Sequence, residues 1–266
     1  MTTGLELETM LCEVDGALAR LRMNRPEVHN AANWAWVNDL VSATEYLAQQ
    51  SEVHVVIVSG EGRSFCSGLD VKELAHGMLT PDWFATWEQG VMGLEELDAI
   101  TIAAIHGYCL GGGLQVALAC DLRIAATNAV MSIPAVREGV IAALGPMRLA
   151  RLIGAGPAKQ LCLLGHRFTP EEALAWHLIS EIVPPEQLET RALALAQELL
   201  ETPFTALMHT KHQIDSAFEV DRGTLMAEFV EDQEECLQSP EHQAVMARYR
   251  AEQEARLRVR EQQANS

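Results

Sequence analysis

The chain has 266 residues, 48% of them hydrophobic, and a formal net charge of −18. That is enough apolar material for one large domain, or a domain with a helical appendage. The acidic balance argues against nucleic acid as a partner, because gripping phosphates needs a basic patch. No run approaches the ~20 apolar residues of a membrane span.

The first residues, MTTGLELETMLCEVDG, show no basic start and no apolar segment, so no secretory signal is expected. Residues 17–23 (ALARLRM) alternate and read as a strand. NRPEVHNAAN is a turn punctuated by proline and asparagine. WAWVNDLVSATEYLAQQ has helical spacing. VHVVIVSG, at 53–60, is a buried β-branched strand, and EGRSFCSGLDVKEL is a glycine-bearing loop running into a short helix. TPDWFATWEQGVMGLEEL reads as a helix with Trp83, Phe84 and Trp87 on one face. ITIAAIHG (100–107) and LRIAA (122–126) are further buried strands. Strands alternating with helices predict a parallel sheet with helical crossovers.

The remainder reads as helical. Thr169, Pro170 and Glu172 make a capping box with proline in the first turn, and Ser239-Pro240 repeats the cap-then-proline start. The charged tail RLRVREQQANS is expected to fray. Six cysteines, at 12, 66, 109, 120, 162 and 236, form no CxxC or Cys/His cluster. They read as reduced, mostly buried thiols of a cytoplasmic protein. His209 and His212 share a helical spacing, but no third ligand accompanies them in sequence, so no metal site is expected.

Two glycine sites follow two buried strands: Ser67-Gly68-Leu69-Asp70 and Gly111-Gly112-Gly113. Neighbouring strands end side by side, so both loops can meet at one edge, where parallel sheets bind ligands. Glycines allow close backbone approach, and Gly111–Gly113 also open a helix whose free amides point outward. Two amides converging there are suited to a developing oxyanion. Tight packing alone is the other reading of the same glycines.

Five segments, NRPEVHNA (24–31), SFCSGLDVKEL (64–74), IAAIHGYCLGGG (102–113), ACDLRIAA (119–126) and FTPEEALAWHLISEIVP (168–184), together resemble the enoyl-CoA hydratase/isomerase (crotonase) superfamily. The resemblance spans almost the whole chain. It implies an α/β fold, a spiral core of repeated βαβ turns over residues 1–200, and a C-terminal helical region over 201–266 used in a homotrimer or a dimer of trimers. It also implies an acyl-coenzyme A thioester as ligand, with coenzyme A as part of the substrate and no other cofactor. The amides of Leu69 and Gly112 would hold the thioester oxygen, flanked by Ser67, Gly68, Asp70 and Gly111. Val28 would line the adenine-pantetheine groove. Lys72, one of three lysines in the chain, would lie near the phosphates, with Arg25 a second candidate. Trp83 and Trp87 would wall the acyl pocket.

The sequence departs from the family pattern at two places. The family's hydratases carry one glutamate two positions after the glycines and another after a downstream proline. Here those positions hold Gln115 and Ala135. A glutamate pair adds water by serving as base and acid in turn. An amide orients water but takes no proton, and alanine does neither. Ordinary hydration is therefore not expected. Glu138 is the nearest replacement acid, unless it forms a solvent-facing pair with Arg137. His29, Cys66 and His76 lie nearby in the family, Asp121 reads as structural, and Glu228, Glu231 and Glu235 are candidates for reaching a neighbouring subunit's pocket. Three readings follow: an enolate-stabilising enzyme, isomerase-like with Glu138 as single base; a catalytically silent acyl-CoA-binding protein; or a C–C bond hydrolase of a β-dicarbonyl compound using His29 or His76.

Overall fold

The computed structural model describes residues 3–264. The chain divides into two compact units between Leu199 and Leu200.

The first unit opens with an antiparallel meander absent from the sequence reading except for its last strand: β1 (Thr3–Glu6), β2 (Met10–Asp15) and β3 (Leu18–Met23). β2 buries Met10, Cys12 and Val14 on one face, following its alternation. A turn over 25–32 leads to α1 (Trp34–Ala48), capped by the Asn33 side chain, which accepts from the Trp36 amide at 3.0 Å. Then come β4 (Val55–Gly60), α2 (Val71–Ala75), α3 (Pro81–Glu95), β5 (Ile100–Ile105) and β6 (Tyr108–Leu110). α4 (Gly112–Ala119), β7 (Leu122–Ala126) and β8 (Val130–Ser132) follow. A 3-10 turn at Ala135–Glu138 precedes α5 (Gly145–Ile153), α6 (Ala155–Leu164) and α7 (Pro170–Ala175). β9 (Glu181–Val183) and α8 (Leu188–Leu200) close the unit.

The main sheet has seven strands in the order β1-β2-β3-β4-β5-β7-β9, parallel from β3 onward. A narrower layer pairs β6 with β8 in parallel and is extended by bridges from Cys66 to Cys109 and from Met131 to Phe168. Each turn of chain thus gives a long strand to one sheet, a short one to the other, and then a helix. This is the spiral of βαβ turns that the resemblance implies. β4 and β5 are buried on both faces, as strands covered by crossovers must be. α4 is buried at all eight residues and runs through the core.

The predicted capping box is present: the Thr169 hydroxyl accepts from the Glu172 amide at 3.3 Å, and Glu172 accepts from the Thr169 amide at 2.8 Å. β9 interrupts the segment read as wholly helical.

The second unit contains α9 (Phe204–Asp215), α10 (Arg222–Gln238) and α11 (Pro240–Ala264). α11 continues through the segment expected to fray, as far as Ala264. His209 is flanked by two acids from α10, Asp232 at 3.1 Å and Glu235 at 3.3 Å. Glu235 is therefore engaged within its own chain. Among the described residues no cluster of His, Cys, Asp and Glu is arranged to hold a metal, and no helix is long and apolar enough to cross a membrane.

Candidate active site

The site is built where the turn over 25–32 docks against the loop over 64–70. Ser67 donates its amide to the His29 carbonyl, Ala32 donates to Gly68, and Asp70 donates to Ala32. Asn30 holds the turn from inside. It is fully buried, its carbonyl oxygen accepts from the Arg25 amide at 2.8 Å, and its amide nitrogen reaches the carbonyls of Glu61, Ser64 and Phe65 at 2.8–3.1 Å. Both His29 (φ 54°) and Asn30 (φ 58°) are left-handed, a conformation asparagine tolerates better than most residues. The Asn in this motif was a usable signal that the sequence reading did not single out.

Gly111–Gly113 are glycines for three separate reasons. Gly111 has φ 52°. A Cβ at Gly112 would stand 2.6 Å from the Trp87 ring, and one at Gly113 would stand 2.1 Å from the Cys66 carbonyl oxygen. Close packing thus explains two of the three. The same packing brings the two loops together: a Cβ at Gly68 would lie 3.2 Å from the Gly112 nitrogen and 2.7 Å from the Leu110 oxygen. Among the described residues, neither the Leu69 amide nor that of Gly112, the first of α4, donates to a backbone acceptor.

A cavity of about 40 Å³ opens at this junction. Ser67, Gly68 and Leu69 line it from one loop, and Gly111, Gly112 and Gln115 from the other. Trp83, Phe84 and Trp87 form its α3 wall, and Ala135 and Glu138 its 3-10 wall. Val71, Pro134 and the loop Ile141–Ala143 also line it, and sequence reasoning had not placed them there. The usable signal was the run of apolar residues in that loop, where Ile141 is 79% exposed. Trp36, Trp87 and Trp83 stack as a column, with centroids 5.1 and 5.6 Å apart. The aromatic face of α3 therefore both packs and shapes the cavity.

Glu138 is the one ionisable side chain among the described residues lining the cavity. Both Glu138 and Arg137 are exposed, as the solvent-facing reading has it, but they are not paired: the Arg137 Nε donates instead to the Leu164 carbonyl at 2.7 Å. Gln115 is 4% exposed, and its Oε1 is buried without a partner among the described residues. Burial pushes the Cys66 thiol up to about 12, only partly opposed by the Gly68 amide and by Arg25, which disfavours the thiolate.

Four predicted residues stand off the cavity. Val28 is half-buried in the docked turn. Arg25 turns inward, donating to the Ala31 carbonyl and lying 3.7 Å from Asp70. Asp70 caps α2 by accepting from the Lys72 amide at 3.1 Å. Lys72 is exposed, whereas the charge of Arg25 is already matched. Neither His29 nor His76 lines the cavity; their Nδ1 atoms lie 2.9 Å from the Ser64 hydroxyl and 2.7 Å from the Lys72 carbonyl. The Asp121 carboxylate accepts from the backbone and hydroxyl of Thr101, as a structural residue would.

A sequence profile described as Enoyl-CoA hydratase/isomerase matches residues 13–256. The chain belongs to the enoyl-CoA hydratase/isomerase family. It is 31% identical over 253 residues to a short-chain-enoyl-CoA hydratase of Clostridium acetobutylicum, covering 92% of this chain and 95% of that protein. The crystal structure of an enoyl-CoA hydratase from Bacillus anthracis superposes with a TM-score of 0.87 at 27% identity, covering 92% of this chain and 97% of that one. A Thermobifida fusca YX structure in complex with acetoacetyl-CoA superposes with a TM-score of 0.79 at 27% identity, covering 86% and 94%. As an enoyl-CoA hydratase/isomerase family member, this chain combines a shared fold with a cavity that is lined, among the described residues, by a single carboxylate.

Proposed function

We propose that the protein is an acyl-CoA enzyme that stabilises a thioester enolate between the amides of Leu69 and Gly112 and uses Glu138 as its only acid–base group. The observation that carries this reading is that, among the described residues, Glu138 is the sole ionisable side chain lining a cavity otherwise made of apolar residues, glycines, Ser67 and Gln115. Family membership and the acetoacetyl-CoA complex of a structural relative support the thioester ligand. The two amides border one cavity and are free to donate, which supports their pairing on one oxygen. Such donors are worth ~2.7–4 kcal/mol each in a water-poor site.

The reaction fitting one carboxylate is a double-bond shift. Glu138 takes a proton from the α-carbon of a β,γ-enoyl thioester, the negative charge moves onto the thioester oxygen, and Glu138 returns the proton to the γ-carbon, leaving the double bond between the α- and β-carbons. No water is consumed, so a base for water is not needed. The C-terminal unit would supply the trimer contacts, in line with the exposed Phe218, Phe229, Val230 and Leu237 on its helices.

Interconversion of β,γ- and α,β-enoyl-CoA, followed optically, tests the reaction. Glu138→Gln should lower it at least 100-fold, the lower range of general acid–base effects. Enolate absorbance on mixing with acetoacetyl-CoA tests the amide pair; binding without it would leave a silent binding protein. Brisk hydration of crotonyl-CoA by the unaltered protein would overturn the assignment.

A further inference from the structure

Cys66 is fully buried and meets both of the loops that carry the Leu69 and Gly112 amides. Its backbone is fastened to the strand that leads into the glycines: the Cys66 amide donates to the Tyr108 carbonyl at 2.9 Å, and the Cys66 carbonyl accepts from the Leu110 amide at 3.0 Å. α4 lies against it, since a Cβ at Gly113 would stand 2.9 Å from the Cys66 Cβ. Its thiol serves the other loop. Sγ donates to the Asn30 carbonyl at 3.1 Å and accepts from the Gly68 amide at 3.4 Å. With its pKa pushed up to about 12, the thiol keeps that proton through neutral pH and remains a donor.

Gly68 needs holding. Its φ of 94° lies where glycine moves freely and other residues rarely go. Two bonds fix it: its amide on the Cys66 sulfur, and its carbonyl, which accepts from the Ala32 amide at 2.8 Å. In a trans peptide the carbonyl and the following N–H point in opposite directions. The Gly68 carbonyl is aimed at Ala32, so the Leu69 N–H is aimed away from the turn over 25–32. A rotation of Gly68 about its own backbone would swing that N–H. The thiol anchors one end of the residue and Ala32 the other.

We propose that Cys66 is a positioning residue: its thiol, held between Asn30 and Gly68, sets the direction of the Leu69 amide relative to that of Gly112, and with it the strength of the pair's hold on a negative oxygen. The inference rests on the two-amide reading above. Cys66 is not among the residues that line the cavity, so it acts through Gly68 and not on the ligand. Sulfur suits the place, because one atom reaches two partners at 3.1 and 3.4 Å. A hydroxyl, with preferred contacts of ~2.5–3.0 Å, would serve one partner well and the other poorly.

The test compares two ligands on the full chain at saturation and neutral pH. Acetoacetyl-CoA reports the ratio of enolate to keto form by absorbance. Butanoyl-CoA, which develops no charge, reports plain binding by calorimetry. Cys66→Ala should lower the enolate-to-keto ratio about three- to tenfold, the worth of one net hydrogen bond. Its affinity for butanoyl-CoA should stay within about threefold, because only the charged oxygen depends strongly on the aim of the amides. Cys66→Val keeps the apolar volume without the hydrogen bonds and should show the same split, so the proposal stands or falls even where the alanine variant does not fold. Cys66→Ser should recover part of the ratio. An unchanged ratio in folded Ala or Val variants overturns the proposal and leaves the two-amide reading intact. Equal losses of enolate and of butanoyl-CoA affinity also overturn it, since the thiol would then only support the fold. Absence of enolate in the unaltered protein overturns the two-amide reading, and this inference with it.

Discussion

Gly112 stands against the edge of Trp87, so close that a Cβ on the glycine would lie 2.6 Å from Cη2 of the ring. Trp87 is itself held in a stack between Trp36 and Trp83 and has nowhere to retreat. Gly112→Ala should therefore cost about 1–3 kcal/mol, the usual range for overpacking a dense core. Thermal unfolding of Gly112→Ala, Trp87→Leu and the double variant checks this. The double variant should be more stable than the sum of the single effects predicts, because the smaller ring side removes the collision. Strict additivity would mean that the two residues do not collide in solution.

Arg148 ties the α3 wall to α5. It is 3% exposed, with Nε 2.7 Å from Glu95 and Nη2 3.0 Å from Glu88. Burial works against its charge, but the hydrogen bonds it donates to Glu95 and Glu88 more than offset this and raise its pKa. Glu88 also accepts the Leu144 amide at 2.8 Å, so the same carboxylate fixes the end of the loop that lines the cavity. Arg148→Met should cost about 1–3 kcal/mol, since it leaves two partly buried carboxylates without their charged donor. Glu95→Gln should cost less, because Glu95 is partly exposed and Glu88 remains. Denaturant unfolding at neutral pH measures both. Equal, small losses would show that the network adds nothing to stability.

What could be read from the sequence divides along physical lines. Local signals were legible: the Thr169–Glu172 box depends on residues three apart, and the β-branched run of β4 announces a covered strand by itself. The glycine pair of loops was legible too, because glycine at the end of a buried strand marks close approach, although Trp87 and Cys66 as the approaching groups were not. β6, β8 and β9 have three residues each, too few for a period of two to stand out. The Arg148 network joins residues 53 and 60 positions apart and left no trace in spacing. Arg25 looked like a phosphate neighbour by its place in the motif, yet its guanidinium is turned onto Ala31 and Asp70. The significance of Gln115 and Ala135 came only from the family resemblance. Nothing in their own neighbourhoods marks a missing acid, apart from the unpartnered oxygen of Gln115.

The buried thiols should make the fold labile in alkali. Burial raises Cys12 to about 11 and Cys66 to about 12, and it raises Cys109 well above its ordinary value. In the unfolded chain these thiols lose their protons near pH 8.5. Their contribution is therefore complete below that pH and is lost as pH rises toward 11–12, because the unfolded state releases protons that the folded state keeps. Stability should fall between pH 9 and 10.5 by up to about 1.4 kcal/mol per pH unit for each thiol. Denaturant unfolding at pH 8 and pH 10.5 measures the loss, and replacing the three cysteines by alanine should flatten the slope. An unchanged slope would place the alkaline sensitivity elsewhere.

Placing glutamates at positions 115 and 135 should introduce water chemistry. Gln115→Glu keeps the side-chain shape and replaces an amide whose oxygen has no partner with a carboxylate able to accept a proton. Ala135→Glu places its carboxyl beside Ile133 and Ala142, where burial raises the pKa and suits it to delivering a proton. Crotonyl-CoA hydration, expected to be very slow in the unaltered protein, should rise at least tenfold in the double variant and less in either single one. That lies below the 10²–10⁴ range of a positioned acid–base group because the surrounding loop has not been adapted to hold it. Unchanged hydration in the double variant would show that positions 115 and 135 do not face the reacting carbons.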